Sequence, residues 1–453
     1  MQRDDPPAEN TYEIGVATAD ITPPVGTPLA GNFRDDYTSQ GVHTPLAARA
    51  MVVRRGSSAV AVIVADLLTI PESLIARVRE QVQQACGLSA DQVLASAIHS
   101  HSGPAAEQVA GPSAPAAVVD QMAHGMADCC TEAFRSCRPM PLWAAATQAK
   151  DAELFFNRRL RLKDGRTVMN WTLPPRDSID GPWGPVDPQV GVLLAGEDRD
   201  RPALVAMNAA LHAAVLAGDN WLINADWPGY YYQAVRQIFG SAALPLFLQG
   251  ALGNINHLDA SDPLQGRGFK EAQRIGSALA LAVAAARDDL RPVTGPIAWS
   301  SQRLLLPARP ISDQQLAWAQ KVVADHAALG DAPRGQTDGI PDLLFARDQL
   351  ELARRRDAFP AEVQVLRIGD LAIVGLPGEF FVEFGLALKQ HSPARLTFIA
   401  GLANGSLGYV PTAAAFGQGG YEPTSWHYSK LAAEAGPLCV ASAQQQLTAL
   451  FAG

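Results

Sequence analysis

Along most of the chain, apolar runs of strand length alternate with stretches in which apolar positions recur at helical spacing. The runs Glu13-Ile14-Gly15-Val16-Ala17, Ala50-Met51-Val52-Val53 and Ala59-Val60-Ala61-Val62-Ile63-Val64 predict strands. Residues 72–85 then take helical periodicity and lead into Val93-Leu94-Ala95, a further buried strand. A second helix is expected over 116–135, with Pro115 suited to its first turn. Strands are expected again at 190–194, 204–207 and 244–248, and helices over 229–239 and 269–287. Two amphipathic helices, 313–328 and 343–356, surround a Gly/Pro-rich turn and read as a helical excursion over 308–360. The core pattern resumes at 361–366 and 371–375, followed by a helix over 379–389, a strand at 396–400 and a closing helix over 432–450. Alternation of this kind predicts an α/β fold: one large layered domain over 1–453, its mainly mixed β-sheet flanked by helices. Residues 1–11 are polar and expected to be flexible, and neither an internal repeat nor a low-complexity linker interrupts the pattern.

Composition narrows the classes of function. Hydrophobic residues make up 48% and charged ones 18%, enough to fill a large core. The formal net charge of −9 argues against nucleic acid, which needs a basic footprint, and against an anionic membrane surface. No apolar run approaches the roughly 20 residues that span a bilayer. The polar opening lacks the apolar centre of a signal peptide, so a cytoplasmic protein is expected, with a secreted chain already trimmed as the alternative. Five cysteines without Cys-x-x-Cys spacing read as buried free thiols. The oligomeric state stays open.

The candidate chemistry sits where apolar runs end, the position at which α/β sheets gather active-site residues. Val93-Leu94-Ala95 runs into Ser96-Ala97-Ile98-His99-Ser100-His101-Ser102-Gly103-Pro104. In extended backbone, residues i and i+2 face one side about 7 Å apart, so both imidazoles can serve one site before Gly103-Pro104 breaks the strand. One ring can bind a metal while the other handles a proton; a histidine at a strand end can also be a satisfied core residue. His212 follows Ala206-Met207-Asn208-Ala209-Ala210-Leu211, and Gln249 to Asn254 follows another run. Glu379 follows Val374-Gly375-Leu376-Pro377-Gly378 and is expected to open a helix, while Tyr409 follows a glycine-rich loop.

Taken in order, Gly15-Val16-Ala17-Thr18-Ala19-Asp20-Ile21-Thr22-Pro23-Pro24, residues 41–50, Ala65-Asp66-Leu67 and the His99 segment resemble the catalytic domain of the neutral/alkaline (non-lysosomal) ceramidases. The similarity resumes at Asn157-Arg158-Arg159, His212, Ala225-Asp226-Trp227-Pro228-Gly229-Tyr230, Gly253-Asn254-Ile255-Asn256, Pro377-Gly378-Glu379 and Tyr421-Glu422, and so covers nearly the whole chain. The resemblance implies His99, His212, Glu379 and Tyr409 as ligands of one zinc per chain. It makes His101 the proton-handling residue, and Arg158 and Tyr421 the contacts to the substrate carbonyl or oxyanion. Chemistry supports the first three ligands, since two imidazoles, a carboxylate and an open position form a recurrent catalytic zinc set. Tyr409 rests on the resemblance alone. The implied activity is zinc-dependent hydrolysis of an acyl amide in a small-molecule acylated substrate by metal-activated water. An esterase or lactonase would use the same site, and a non-catalytic binding protein of the same fold is the alternative from another class.

The chain also departs from that family. Asn256 stands where the family loop usually carries a substrate-contacting serine, and His257 beside it is a candidate to have taken over that contact. The chain is expected to be a short member without the C-terminal immunoglobulin-like domain, and ceramide itself is expected to be a poor substrate. Asp66 and Asp226 either orient a metal-bound histidine or cap loops. His43, His124, His326 and His391 read as structural, and His427, close behind Tyr421, as structural or pocket-lining. The Gly-x-Ser-x-Gly elbow, the His-Glu-x-x-His helix and the Gly-x-Gly-x-x-Gly turn of rival enzyme classes are absent.

Overall fold

Three β-sheets carry the fold, and each ends in one parallel pair. In the first, Val93–Ala97, Ser58–Ala65, Ala47–Arg55, Tyr12–Asp20 and Arg138–Met140 lie side by side, antiparallel except for Ser58–Ala65 beside Val93–Ala97. In the second the order is Leu244–Gln249, Leu204–Ala209, Gln189–Ala195, Leu142–Gln148 and Arg291–Pro292, with Leu204–Ala209 and Leu244–Gln249 parallel. In the third it is Ile297–Leu306, Phe359–Ile368, Leu371–Gly375 and Leu396–Ala400, with the last two parallel. The expected mixed α/β layering is present. This computed structural model describes residues 12–452 except 32, 34–36, 108, 110–112, 150–152, 263–264, 330–334 and 356–357; the expectation for 1–11 lies outside the described residues.

Parallel strands cannot be joined by a tight turn; they need a crossover, usually a helix. Helix Glu72–Cys86 supplies it in the first sheet, Asp226–Phe239 in the second and Val382–His391 in the third. All six strands of these pairs are buried almost throughout, which is why they read as unbroken Ala/Val/Ile/Leu runs. The carboxyl ends of the pairs therefore hold the loops free to carry chemistry.

Several element ends differ from expectation, each for a local reason. Asp226–Phe239 begins three residues earlier than 229, because Pro228 lies in its first turn, where no N–H is needed. Pro115 caps Ala116–Arg135 from outside instead of lying in its first turn. Glu379 does not open a helix: Glu379–Phe380 pairs in parallel with Tyr409–Val410, and the helix starts at Val382. The closing helix is Ala435–Phe451, and helix Gly268–Ala285 passes into the 3-10 turn Ala286–Asp289. The excursion consists of Asp313–Leu329 and Asp342–Leu352 packed together, the second ending four residues short of 356. All five cysteines are free, with Cys129, Cys130 and Cys439 buried; burial lifts the Cys129 thiol to about 12, against a partial opposing pull from Arg49. Among the described residues no helix is long and apolar enough to cross a membrane.

Asp66, at the end of the strand Ser58–Ala65, fastens the first sheet to the helix Asp226–Phe239. Both its oxygens accept from Nη1 of Arg49 at 2.8 Å, and it also takes the Ala47 N–H and, at 3.3 Å, the Tyr232 hydroxyl. The Arg49 guanidinium lies 3.6 Å from the Tyr232 ring centre. Removing one partner of a buried pair strands the other charge. Asp66→Ala should cost about 3–5 kcal/mol in denaturant unfolding. Tyr232→Phe, losing one long hydrogen bond, should cost about 1 kcal/mol.

Candidate metal and active site

The loops leaving the three parallel pairs meet at His99, His101, His212 and Glu379. The strand ends at Ala97, and His99 itself takes φ +67°, so the two histidines do not converge through extended backbone as their i, i+2 spacing predicts. A left-handed turn brings them together instead. Non-glycine residues pay for such a conformation, and here hydrogen bonds from Ile98 N to Ala65 O, His99 N to Leu67 O and His101 N to Ala213 O hold it. The ring centres of His99 and His101 lie 4.9 Å apart and those of His99 and His212 4.8 Å apart. One ligating nitrogen from each of the three lies within 4.8 Å of the others.

Backbone carbonyls fix which nitrogen of each ring carries the proton. Nδ1 of His99 faces Leu68 O at 2.9 Å, Nδ1 of His101 faces Gly31 O at 2.8 Å, and Nδ1 of His212 faces Ile255 O at 2.7 Å. A carbonyl can only accept, so Nδ1 donates in all three rings and Nε2 is left to face the centre. There Nε2 of His99 lies 3.3 Å from one oxygen of Glu379, and Nε2 of His212 lies 3.2 Å from the other. Burial, reinforced by the Arg158 charge, pushes the His212 imidazolium pKa down to about 4. Burial and the neighbouring His99 likewise take His101 well below the usual histidine range. Burial opposes the Glu379 charge, but His99 and His212 outweigh it and keep the carboxylate ionised. Nε2 of His212 thus faces a carboxylate oxygen at 3.2 Å with Nη1 of Arg158, at 3.1 Å, as its donor, while both Glu379 oxygens and His99 Nε2 lack a satisfactory hydrogen bond. Buried acceptors facing one another call for a shared cation, and two imidazoles with a carboxylate suit zinc.

Close backbone approach makes room for this centre. A Cβ on Gly253 would lie 2.3 Å from the carbonyl oxygen of Glu379, and one on Gly408, at φ +79°, would lie 1.9 Å from Tyr428 O. Tyr409 is the register partner of Glu379, which places it beside the carboxylate. Burial and Glu379 raise its phenol pKa, against the pull of Arg158. Tyr421 packs edge-on to Tyr409 at 5.4 Å and to Trp171 at 5.6 Å. The Arg158 guanidinium is buried: Nε donates to Glu422 at 2.7 Å, Nη2 to Gly253 O at 2.6 Å and Nη1 to His212 Nε2 at 3.1 Å. Over Glu379, His99 and His101 lies a cavity of about 30 Å³ walled by Tyr409, Tyr421 and Trp426. Phe345 of the excursion stacks behind the last two, 6.4 and 5.8 Å away.

His99, His101, His212, Glu379, Tyr409, Arg158 and Tyr421 are therefore brought together. Asn256 and His257 are buried nearby but do not line the cavity. The Asn256 amide pairs reciprocally with that of Asn170, at 2.7 and 2.8 Å, and burial lowers the His257 pKa to about 4. Asp66 and Asp226 serve backbone and arginine, not histidine rings. Asp226, at φ +56°, accepts from Val215, Leu216 and Trp227 N–H and so fixes the loop after His212. His43 bonds the Tyr230 hydroxyl, His124 and His391 bond carbonyls of their own helices, and His427 donates to Asp348. Tyr428, which lines the cavity, and Trp171 were not legible as site residues, because neither ends an apolar run.

Comparison with known proteins bears on the fold and the family. A solved neutral ceramidase from Pseudomonas aeruginosa superimposes with a TM-score of 0.73 at 18% identity, covering 97% of this chain and 74% of that one. A second structure, described as ceramidase complexed with C2, gives 0.72 at 16% identity, covering 97% and 75%. At such identities these likenesses establish the fold. The family described as neutral/alkaline non-lysosomal ceramidase, N-terminal, matches residues 12–245, more than half of the sequence, and the chain belongs to that family.

Proposed function

We propose that the protein is a zinc-dependent hydrolase that cleaves the amide of a small acylated substrate. The observation that carries this reading is the set of opposed acceptors, with Nε2 of His99 and His212 lying 3.3 and 3.2 Å from the two oxygens of Glu379. Membership of the ceramidase family supports an amide hydrolase, and the ligand set supports one zinc per chain. His99, His212 and Glu379 would hold the ion, with Tyr409 beside Glu379 as the fourth ligand. When bound, zinc supplies Lewis acidity and lowers the pKa of water from about 15.7 to about 7.

The remaining residues then have defined tasks. His101, anchored through Nδ1 to Gly31 O, keeps Nε2 toward the cavity, takes a proton from the attacking water and returns it to the leaving nitrogen. Tyr421 donates to the substrate oxygen as negative charge develops there. Arg158 Nη1, now spent on the His212 lone pair, is the second donor once that lone pair is engaged elsewhere. A donor of this type is typically worth about 3 kcal/mol. Ester or lactone cleavage needs the same groups, so a panel of N-acyl amides, esters and lactones decides the bond.

Protein purified without added metal should carry about one zinc per chain. Chelation should abolish turnover, and restoring zinc should recover it; a metal-free protein with full activity would end the proposal. The two paired histidines should separate cleanly. His99→Ala should lose both zinc and turnover. His101→Ala should keep its zinc, with turnover lower by about 10² to 10⁴. Metal content, melting temperature and rate measured on the same preparations distinguish these results from a shared loss of folding.

A further inference from the structure

Behind the site, two consecutive arginines share one carboxylate. Nε of Arg158 donates to Oε1 of Glu422 at 2.7 Å, and Nη1 of Arg159 donates to Oε2 at 2.7 Å. Nη2 of Arg159 also donates to Gly419 O at 2.7 Å, which ties the arginine to the loop that carries Tyr421. Ser429 donates its hydroxyl to the Glu422 carbonyl, fastening the far side of the same loop. Glu422 is fully buried and does not line the cavity, so it has no direct contact with a substrate there. Burial opposes its charge, but Arg158 and Arg159 prevail and keep it ionised.

This arrangement has two consequences. One carboxylate fixes both the guanidinium that reaches His212 and the loop position next to Tyr421. Two guanidiniums against one carboxylate also leave one positive charge uncompensated by it, and Arg158 is the one that reaches His212. Donors held in place before reaction need no reorganisation when charge develops. Buried ion pairs contribute little net stability when compared with apolar packing, so stability alone is a weak account of this triad.

We propose that Glu422 is a positioning residue for the reaction: it holds Arg158, and with it Tyr421, in register with the His99–His212–Glu379 centre. This rests on the reading of Arg158 and Tyr421 as donors to the substrate oxygen. Glu422→Gln keeps the shape and one acceptor while removing the charge. Purified with zinc, it should retain metal content, hold KM within about threefold and lose about 10 to 10² in kcat.

Chemical rescue keeps the test independent of how well that variant folds. Arg158→Ala should lose about 10² to 10³ in kcat. Millimolar guanidinium should restore part of that loss, because Glu422 remains to seat the added cation. The double variant Arg158→Ala/Glu422→Gln should show no rescue. Wild-type kcat in zinc-loaded Glu422→Gln, together with a low kcat in Arg158→Ala, overturns the positioning role alone, as does equal rescue of the double variant. Full activity in Arg158→Ala overturns it together with the donor role beneath it.

Discussion

The centre is organised around a contact that is unfavourable by itself. Nε2 of His99 and Nε2 of His212 are buried against the two oxygens of Glu379, at 3.3 and 3.2 Å, with Nδ1 of each ring turned away onto a carbonyl. An unsatisfied buried acceptor costs on the order of 1–3 kcal/mol, and more when charged. Such an arrangement persists only where the surrounding structure over-determines it. Here the surroundings do so with backbone: Leu68, Gly31 and Ile255 carbonyls orient the rings, and His99 is held left-handed by bonds to Leu67 and Ala65. A cation relieves the contact directly, and this is the physical link from the geometry to metal chemistry.

The fold delivers one candidate ligand from each sheet. His99 leaves the first parallel pair, His212 the second and Glu379 the third, with Tyr409 returning beside Glu379. Since each pair is buried along its length, the candidate ligand positions rest on three sheets instead of one. Glycines 253 and 408 are the points where the loops come too close for a side chain. Orientation by carbonyls also explains why Asp66 and Asp226 do other work: Asp66 joins sheet to helix through Arg49, and Asp226 caps the loop after His212.

What could be read from the sequence follows from this division. The paired strands were visible as continuous apolar runs, and His99, His212 and Glu379 stood out because they end such runs. Periodicity places Glu379 in a helix because Glu379–Phe380 is a two-residue strand, too short to register. The start of Asp226–Phe239 is hidden in the sequence because Pro228 reads as a breaker unless the first turn is already known. The converging turn at His99 had no sequence cue at all; a β-like spacing led to the right pair for the wrong geometric reason. Contacts such as Asn170 with Asn256, 86 residues apart, depend on tertiary structure and leave no local trace.

The substrate side is built differently, and that separates what can be argued about chemistry from what can be argued about specificity. The candidate ligands His99, His212 and Glu379 follow closely on sheet strands, whereas Tyr421 and Trp426 lie on a longer loop and Trp171 on the 3-10 turn Asn170–Thr172, braced by the helical excursion. Asp338 takes the Met169 N–H and its carbonyl takes the Trp171 indole, Gln349 donates to Ser425 O, and Asp348 holds His427. Each of these contacts lands on the segment that carries Tyr421 and Trp426, or on the one that carries Trp171, which packs against Tyr421. Nearby, Asn256 spends its amide on Asn170 and on the Leu258 N–H, so its polar atoms are already committed to the protein. A loop wall of this kind can be reshaped by changes in a distant helix pair while the ligands stay fixed. Family membership therefore constrains the bond-breaking machinery more tightly than the shape of the molecule presented to it.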